Sequence, residues 1–214
     1  MNIREMFDSI ADKYDFLNNL ISLGLHKNIK KCAIKHVPLK QGAKVLDLCT
    51  GTGDIVILLS EKNVEITAVD FSPNMLEIAK KRAKNRKNIS FMQADVLNLP
   101  FNDETFDAVF ISFGLRNLTD LNKGILEMKR VVKTGGYVVN LDTGKPKGLF
   151  APIFRFYFFK IVPLLGKAYK YLPESTQNFP SQEELVKIFL ELGFKEVKNY
   201  NYAFGAIAQQ VAKK

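Results

Sequence analysis

Apolar and polar residues follow two different periods along the chain, and the change falls near Ala43. Over residues 1–36 apolar side chains recur at helical spacing, which predicts two helices interrupted at Gly24. The side chains that carry this period are Met6, Ile10, Tyr14, Leu17, Leu20 and Ile21. After Ala43, short apolar runs alternate with longer amphipathic stretches. These runs predict strands at "AKVLDLC", "VEITAVD", "ISFMQAD", "FDAVFIS" and "TGGYVVNLD".

The stretches between these strands predict helices. "SPNMLEIAKKRAKN" offers Ser72 as its N-cap and Pro73 at its first helical position. The other predicted helices cover residues 54–62, 119–133 and 181–194. Repeated strand–helix alternation is typical of an α/β fold with a parallel, doubly wound sheet, and we expect strands near 195–201 and 204–212 to complete it. We expect one domain over residues 1–214, with residues 1–36 as an N-terminal helical cap.

The segment 148–166, "GLFAPIFRFYFFKIVPLLG", breaks this alternation and is very aromatic. Arg155, Lys160, two prolines and short apolar runs exclude an ordinary membrane-spanning helix. One helical face is predicted to carry Phe150, Ile153, Phe154, Tyr157, Phe158 and Ile161. We interpret residues 148–180 as an aromatic lid that lies on a membrane surface. A homodimer interface, or a lid packed on the sheet, would produce the same pattern.

Composition limits the partners and the cellular compartment that we expect for the protein. The formal net charge is +9, which favours anionic membrane surfaces or nucleic acid as partners. The chain carries no RNA-binding signature of the aromatic type, so we do not expect nucleic acid. Cys32 and Cys49 provide no disulfide framework, and the mixed-charge N-terminus does not read as a signal peptide. We therefore expect a cytoplasmic protein at the inner face of a membrane. His26 and His36 stand apart, so no metal is predicted.

The glycine loop in "VLDLCTGTGD" joins the first strand to the next helix through Gly51, Thr52 and Gly53. Glycines let backbone approach a ligand closely at a helix N-terminus. The third glycine of a dinucleotide fingerprint is replaced by Val56, so a pyrophosphate ligand is weakly supported. Acidic side chains surround the loop instead. Such residues suit the hydroxyl and ammonium groups of S-adenosylmethionine, which has no phosphate.

Acidic residues also end consecutive predicted strands, and the carboxyl ends of parallel strands form the ligand-binding edge of such sheets. Asp47 precedes the glycine loop, and Asp70 is placed to accept both ribose hydroxyls. Phe71 is predicted to stack on adenine. Asp95 is predicted to accept from the adenine amino group, with the backbone N–H of Val96 beside it. The alternative is that these aspartates only form turns and cap helices.

Five stretches together resemble the ubiquinone/menaquinone biosynthesis C-methyltransferase family. They are "MFDSIADKYDFLNNLISLGLH", "VLDLCTGTGD", "DFSPNMLEIAKKR", "ISFGLRNLTD" and "AYKYLPESTQNFPSQEEL". The resemblance implies a seven-stranded, mostly parallel Rossmann-like sheet with an antiparallel last strand. It also implies transfer of a methyl group from S-adenosylmethionine to a polyprenylated quinol ring. The cofactor contacts that it implies fall on Thr52, Asp70, Asp95 with Val96, and Ser112.

This chain departs from the family pattern outside the cofactor loop. The insert that commonly separates "PLLGK" from "AYKYLPES" is nearly absent, which changes the expected shape of the lid. Asp142 and Gly144 stand where the family usually has a glutamate and a serine. A glutamine, near Gln209 and Gln210, replaces a histidine often seen close to the C-terminus.

Arg116 and Asn117 leave the apolar end of the fourth strand, which is unusual for core structure. Ionising a phenol at pH 7 costs roughly 4 kcal/mol, and a neighbouring guanidinium favours the phenolate. We hypothesise that Arg116 stabilises the phenolate of the acceptor and Asn117 orients its oxygen, while a water or a nearby acid takes the proton. The alternative is that Asn117 or Thr119 caps the next helix and Arg116 forms a surface ion pair.

The acceptor pocket is predicted less firmly than the cofactor site. Tyr14, Asp15, Tyr169 and Tyr171 are candidates to line it, although aromatic core packing would explain them equally well. Three other functions remain open at this level: methylation of another small lipophilic acceptor, a catalytically silent binding subunit of a quinone-biosynthesis complex, and, on charge only, RNA methylation. The sequence does not distinguish a naphthoquinol from a benzoquinol acceptor.

Overall fold

The computed structural model describes residues 3–22, 24–165 and 167–214, and its described strands form a seven-stranded sheet. The strand order is β3-β2-β1-β4-β5-β7-β6. Strands β1 to β5 are parallel, and β7 lies antiparallel between β5 and β6. The strands are β1 Lys44–Leu48, β2 Glu65–Asp70, β3 Ile89–Gln93, β4 Phe106–Ser112, β5 Val132–Thr143, β6 Glu196–Tyr202 and β7 Ile207–Lys213. The predicted doubly wound sheet and its antiparallel last strand are confirmed.

Eight α-helices lie within the described residues. They are α1 Ile3–Ser22, α2 Leu25–Lys35, α3 Asp54–Ser60, α4 Pro73–Arg82, α5 Leu121–Val131, α6 Phe150–Phe156, α7 Lys167–Asn178 and α8 Gln182–Glu191. The break between α1 and α2 falls at Gly24 as predicted, with a φ of 77°. Ser72 caps α4 by accepting from the backbone N–H of Met75 at 3.1 Å. Helix α4 ends at Arg82, three residues earlier than its amphipathic pattern indicates.

Each face of the sheet carries its own apolar layer, because successive strand residues point to opposite faces. In β1, Leu46 and Leu48 pack toward α5 and α8, while Val45 packs toward α2 and α3. All three side chains are fully buried. Helices on both faces leave the carboxyl ends of β1, β2 and β4 as the open edge where polar side chains gather.

The aromatic segment is not the single amphipathic helix that its pattern predicts. Helix α6 gives way to a wider π-helical turn over Tyr157–Ile161 and a 3₁₀ turn over Val162–Leu165. Phe158 is buried and packs against Val162 and α1, whereas Ile161 is exposed. Ile161 therefore departs from the predicted common face, whereas Ile153, Phe154, Tyr157 and Phe158 all face one cavity. The side chain of Phe150 and residue Gly166 lie outside the described structure.

Within the described residues, no helix is long and apolar enough to cross a membrane.

Candidate functional site

A cavity of about 540 Å³ opens at the carboxyl ends of β1, β2 and β4. The predicted cofactor residues that line it are Gly51, Asp70, Phe71, Asp95, Val96 and Ser112, and Asn117 joins them. Tyr14 of α1, Cys49, Met75 and Phe113 add an apolar part of the wall. Six of the nine residues predicted to bind the cofactor thus line this cavity. We call it the cofactor cavity.

Asp70 organises this cavity. One carboxylate oxygen accepts the backbone N–H of Gly51 at 2.8 Å, and the other accepts that of Ser72 at 2.9 Å. Burial raises the pKa of Asp70, while these backbone donors partly oppose the rise. Asp70 therefore ties the glycine loop to the end of β2 and presents an acceptor to the cavity.

The polarity of the wall tests which ligand fits. Among the described residues that line the cofactor cavity, no lysine, arginine or histidine is present. Ser112 Oγ and Asn117 Oδ1 are buried and lack a hydrogen-bond partner within the described structure. Buried polar atoms normally have partners, so these two atoms and Asp70 fit a ligand rich in hydroxyl and amino groups. Such a wall suits S-adenosylmethionine and disfavours a phosphate-bearing ligand.

Three predicted cofactor residues lie behind this wall. Asp47 is fully buried and accepts from Thr50 Oγ1 at 2.5 Å, and burial raises the pKa of Asp47 to about 7. Gly53 has a φ of 91° at the N-cap of α3, where an added Cβ would meet Ala79 at 3.2 Å. These residues shape the loop, and their direct contact with a cofactor stays a prediction.

Thr52, the third of them, faces α1 and α4. Its hydroxyl donates to Asp15 Oδ1 at 2.6 Å and accepts from Arg82 at 2.9 Å. Asp15 is thereby fixed to the glycine loop, and the described lining of the cavities does not include it. The predicted role of Asp15 in the acceptor pocket has no geometric support here.

A second cavity, of about 420 Å³, lies against the first and is mostly apolar. Tyr14 and Phe113 line both cavities, so the two meet at these rings. Its apolar wall comes from α1, α2, the aromatic segment, α7 and β7, and includes Ile21, Leu25, Ile29, Ile153, Phe154, Tyr157, Phe158, Leu172 and Ile207. Its basic side chains are His26, Lys30 and Arg116. We call it the acceptor cavity.

The turn after β4 separates the two cavities. Phe113 has a φ of 57°, an unusual conformation for a bulky residue, and such strain clusters at functional sites. A Cβ on Gly114 would come within 2.6 Å of the Cys49 side chain, so only glycine fits there. The 3₁₀ turn Leu115–Asn117 follows. It directs Asn117 into the cofactor cavity and Arg116 into the acceptor cavity.

Arg116 forms a buried ion pair. Its Nη1 lies 2.5 Å from Asp142 Oδ1 and 2.9 Å from the Phe113 carbonyl oxygen. The two charged side chains are only 8% and 1% exposed. The alternative of a surface ion pair is therefore wrong, and so is the alternative cap, because Asp120 caps α5. Arg116 Nε is buried and has no hydrogen-bond partner among the described residues.

The predicted tyrosines divide between two roles. Tyr14 lines both cavities, as an acceptor residue should. Tyr169 is buried beside Phe158 and Val162, and burial raises the pKa of its phenol. Tyr171 is half-buried near Arg116 and Asp142, and burial again raises its pKa. The described lining of the acceptor cavity contains neither Tyr169 nor Tyr171, although Tyr169 packs behind the lining residue Phe158.

A network of charged side chains beneath the acceptor cavity was missed by the sequence analysis. Lys30 Nζ lies 2.9 Å from Asp54 Oδ2, and Arg82 Nη2 lies 2.7 Å from Asp54 Oδ1. Burial alone would raise the pKa of Asp54, but the two cations outweigh it and hold that pKa below its usual range. The i, i+4 spacing of His26 and Lys30 on α2 was the available signal.

A parallel sheet with this strand order, a glycine loop after β1 and an acidic residue at the end of β2 define a class I methyltransferase. The sequence model of the ubiE/COQ5 methyltransferase family matches residues 1–214. The chain belongs to this family, and its methyl donor is S-adenosylmethionine.

Individual relatives agree with the family. The chain is 40% identical over 223 residues to a demethylmenaquinone methyltransferase of Staphylococcus saprophyticus, covering 99% of this chain and 96% of that one. It is 38% identical to a ubiquinone/menaquinone biosynthesis C-methyltransferase of Geotalea uraniireducens, with the same coverage. A solved methyltransferase from Aquifex aeolicus shares the fold, with a TM-score of 0.66 at 23% identity, covering 86% of this chain and 88% of that one.

Proposed function

We propose that this protein transfers a methyl group to a ring carbon of a prenylated quinol in menaquinone or ubiquinone biosynthesis. One observation carries the proposal: a polar, acidic cofactor cavity and an apolar acceptor cavity meet at Tyr14 and Phe113. The names of the relatives, demethylmenaquinone methyltransferase and ubiquinone/menaquinone biosynthesis C-methyltransferase, support this acceptor.

The cofactor cavity has an acceptor or donor for each part of the methyl donor. Bound S-adenosylmethionine supplies a methyl group already activated by its sulfonium. Asp70 would hold the ribose hydroxyls, and Asp95 with Val96 would hold the adenine edge beside Phe71. Ser112, Gly51 and Asn117 line the remaining polar wall. Asp47, Thr52 and Gly53 would act by holding the loop that carries these contacts.

Arg116 and Asn117 remain the proposed catalytic pair. The acceptor carbon becomes a good nucleophile only when the neighbouring hydroxyl is ionised, and ionisation costs about 4 kcal/mol at pH 7. The Arg116 Nε–H has no acceptor among the described residues, so the guanidinium keeps a donor that a phenolate would satisfy. Asp142 holds the guanidinium in place but also neutralises part of its charge. Asn117, on the cofactor side, would orient the same oxygen.

The test is a methylation assay with the purified protein, S-adenosylmethionine and two reduced, short-tailed acceptors, a demethylmenaquinol and a benzoquinol. Mass spectrometry should find one added methyl group on the ring carbon of at least one of them. The preferred ring would assign the protein to menaquinone or ubiquinone biosynthesis. Cofactor binding with no product on either quinol would refute the proposal and favour a silent subunit or another lipophilic acceptor.

Exposed apolar residues at the opening of the acceptor cavity support a membrane as the source of this lipophilic substrate. Leu25 and Ile153 line the cavity and are also exposed, so the cavity opens between them. Leu149 is 97% exposed and Phe156 is 65% exposed on the same aromatic segment. Arg155 and Lys160 are exposed beside them. We propose that this surface contacts the inner, anionic face of a membrane and admits the prenyl tail.

The side chains that would contact lipid differ from those that the sequence pattern selects. Phe154 and Phe158 line the acceptor cavity, and Phe158 is buried. We therefore predict that the double variant Leu149→Ser/Phe156→Ser loses binding to anionic phospholipid vesicles by at least about tenfold, because each buried apolar side chain contributes about 1.5–3 kcal/mol. Co-sedimentation measures this loss.

The matched control is Leu126→Ser/Leu190→Ser, which removes two exposed leucines from α5 and α8 and should bind vesicles like the wild type. Equal vesicle binding by both double variants would refute the membrane surface. If the aromatic surface instead joins two copies of the chain, analytical ultracentrifugation would show a wild-type dimer that only the Leu149/Phe156 variant loses.

A further inference from the structure

The acceptor cavity must contain a group that removes the quinol proton. The ionisable side chains among its described lining are Tyr14, His26, Lys30, Arg116 and Tyr157. Lysine, arginine and tyrosine side chains hold their protons at neutral pH. No carboxylate belongs to this described lining. Within it, the imidazole of His26 is therefore the group with a nitrogen lone pair ready to accept a proton.

Helix α1 positions this imidazole. Ser22 Oγ lies 2.6 Å from His26 Nδ1, and Ser22 Oγ donates its hydrogen to the Asn18 carbonyl oxygen at 2.7 Å. A hydroxyl has one hydrogen, so in this pair Nδ1–H donates and Ser22 Oγ accepts. The second nitrogen, Nε2, is then unprotonated. It lies 3.8 Å from Asp54 Oδ2, too far for a hydrogen bond but close enough for charge attraction.

We propose that His26 is the catalytic base of this enzyme, and that its Nε2 accepts the proton of the quinol hydroxyl directly or through one water. The proposal rests on the quinol methylation proposed above. Ser22 fixes the tautomer and the ring orientation, and Asp54 stabilises the imidazolium that forms. Lys30 and Arg116 flank the same place, since their cationic groups lie 5.7 Å and 5.8 Å from the centre of the Phe113 ring.

The proposed methyl transfer conserves atoms and charge. The hydroxyl proton moves to Nε2, and the electrons of the resulting phenolate make the adjacent ring carbon nucleophilic. That carbon forms a bond to the methyl group while the methyl–sulfur bond breaks and leaves its electron pair on sulfur. Water then carries the proton of the methylated ring carbon to the oxygen, which restores aromaticity and the hydroxyl. The net products are one methylated quinol, one S-adenosylhomocysteine and the proton on Nε2, which leaves through His26.

The charges around His26 suit a base that works at neutral pH. Burial, and then the nearby charge of Lys30, lower the pKa of His26 below its ordinary 6.5, while Asp54 opposes them. Lys27 on the same helix lowers it further, and Asp15 of α1 raises it. Arg82 of α4 faces the opposite side of Asp54. The imidazole is therefore neutral at pH 7, and it becomes protonated and inactive only as the pH falls below 6.5.

The variant His26→Gln tests this role. General-base catalysis contributes about 10²–10⁴-fold, so kcat should fall at least about 100-fold while KM for the quinol changes little. Wild-type kcat/KM should fall tenfold per pH unit below the His26 pKa, and the variant should lose this acid limb. A second readout needs no methyl donor. A chromophoric naphthol whose own pKa is close to that of imidazole, bound to the cofactor-free wild type, should show a larger phenolate absorption band at pH 7 than when it is bound to the variant.

The matched control is His36→Gln, which replaces the other histidine of the chain. His36 bonds to Gln209 and stacks on Tyr200, away from the described lining of both cavities, so turnover should stay within about threefold of wild type. Where His26→Gln does not fold, Ser22→Ala gives the milder test, with a shifted acid limb expected. An intact acid limb and naphthol band in folded His26→Gln would overturn the proposal. Failure of the wild type on every quinol would overturn the proposed function instead.

Discussion

Replacement of Asp70 by alanine is expected to weaken S-adenosylmethionine binding at least about 100-fold, measured by isothermal titration calorimetry. The Asp70 carboxylate lines the cofactor cavity and accepts the backbone N–H groups of Gly51 and Ser72. A hydrogen bond to a charged group contributes about 1.5–3 kcal/mol, and each 1.4 kcal/mol is a factor of ten in affinity. Two ribose hydroxyls lose their acceptor in the variant, and the glycine loop loses its anchor.

Asp107→Ala is the matched control for this loss. Asp107 also accepts a backbone N–H, that of Lys44 at 2.8 Å, but it lies at the start of β4, at the opposite edge of the sheet. Its variant should bind the cofactor normally. Asp70→Asn keeps the volume of the side chain, and it replaces the alanine variant in this test if that variant has a much lower melting temperature. Cofactor affinity within threefold of wild type in either folded Asp70 variant would contradict the assigned site.

Most of the fold was predictable because its signals are local. The apolar runs of β1 and β4, the capping residues of α4 and the glycine at the α1–α2 break each act within a few residues. The aromatic segment was predicted wrongly for the same reason. Its side chains pack against α1, more than 100 residues earlier in the chain, and its helix widens into a π-helical turn that the local pattern does not indicate.

The cofactor cavity was predictable because its acidic residues lie at the ends of strands that the sequence pattern reveals. The partners of the charged and polar side chains around it were not predictable. Asp142 meets Arg116 because β4 and β5 pair with Ser112 opposite Leu141, a register that no local pattern reveals. Thr52 is likewise linked to Asp15 across 37 residues. The family resemblance implies that Thr52 contacts the cofactor, whereas the hydroxyl of Thr52 bonds to Asp15 of α1 and Arg82 of α4.

His26 shows most clearly which residues a sequence pattern cannot identify. An isolated histidine in an amphipathic helix reads as a packing residue when its partners are unknown. Only the folded chain brings Ser22, Asp54 and the wall of the acceptor cavity around it. The catalytic value of such a residue comes from its surroundings, and those are tertiary.

Arg116→Met is expected to lower the free energy of unfolding by about 3–5 kcal/mol, because it leaves the Asp142 carboxylate buried without its cation. Turnover should fall by about 10²–10³-fold as well, the usual cost of losing a donor that stabilises a developing oxyanion. Chemical denaturation and a steady-state assay with the quinol measure the two losses. Arg116→Lys should have a stability and a turnover between those of Arg116→Met and the wild type, because it keeps the charge but not the Nε–H.

The double variant Arg116→Met/Asp142→Asn separates structure from chemistry. Asparagine can still accept the backbone N–H of Thr143, now 2.7 Å from Asp142 Oδ1, and no buried charge is left unpaired. Stability and cofactor affinity should therefore largely return, while turnover should not. Arg130→Met, which breaks ion pairs with Glu127 and Asp103 outside both described cavity linings, should cost stability without lowering turnover. Recovery of full turnover in the double variant would mean that Arg116 only balances Asp142, and that the phenolate is stabilised by another donor.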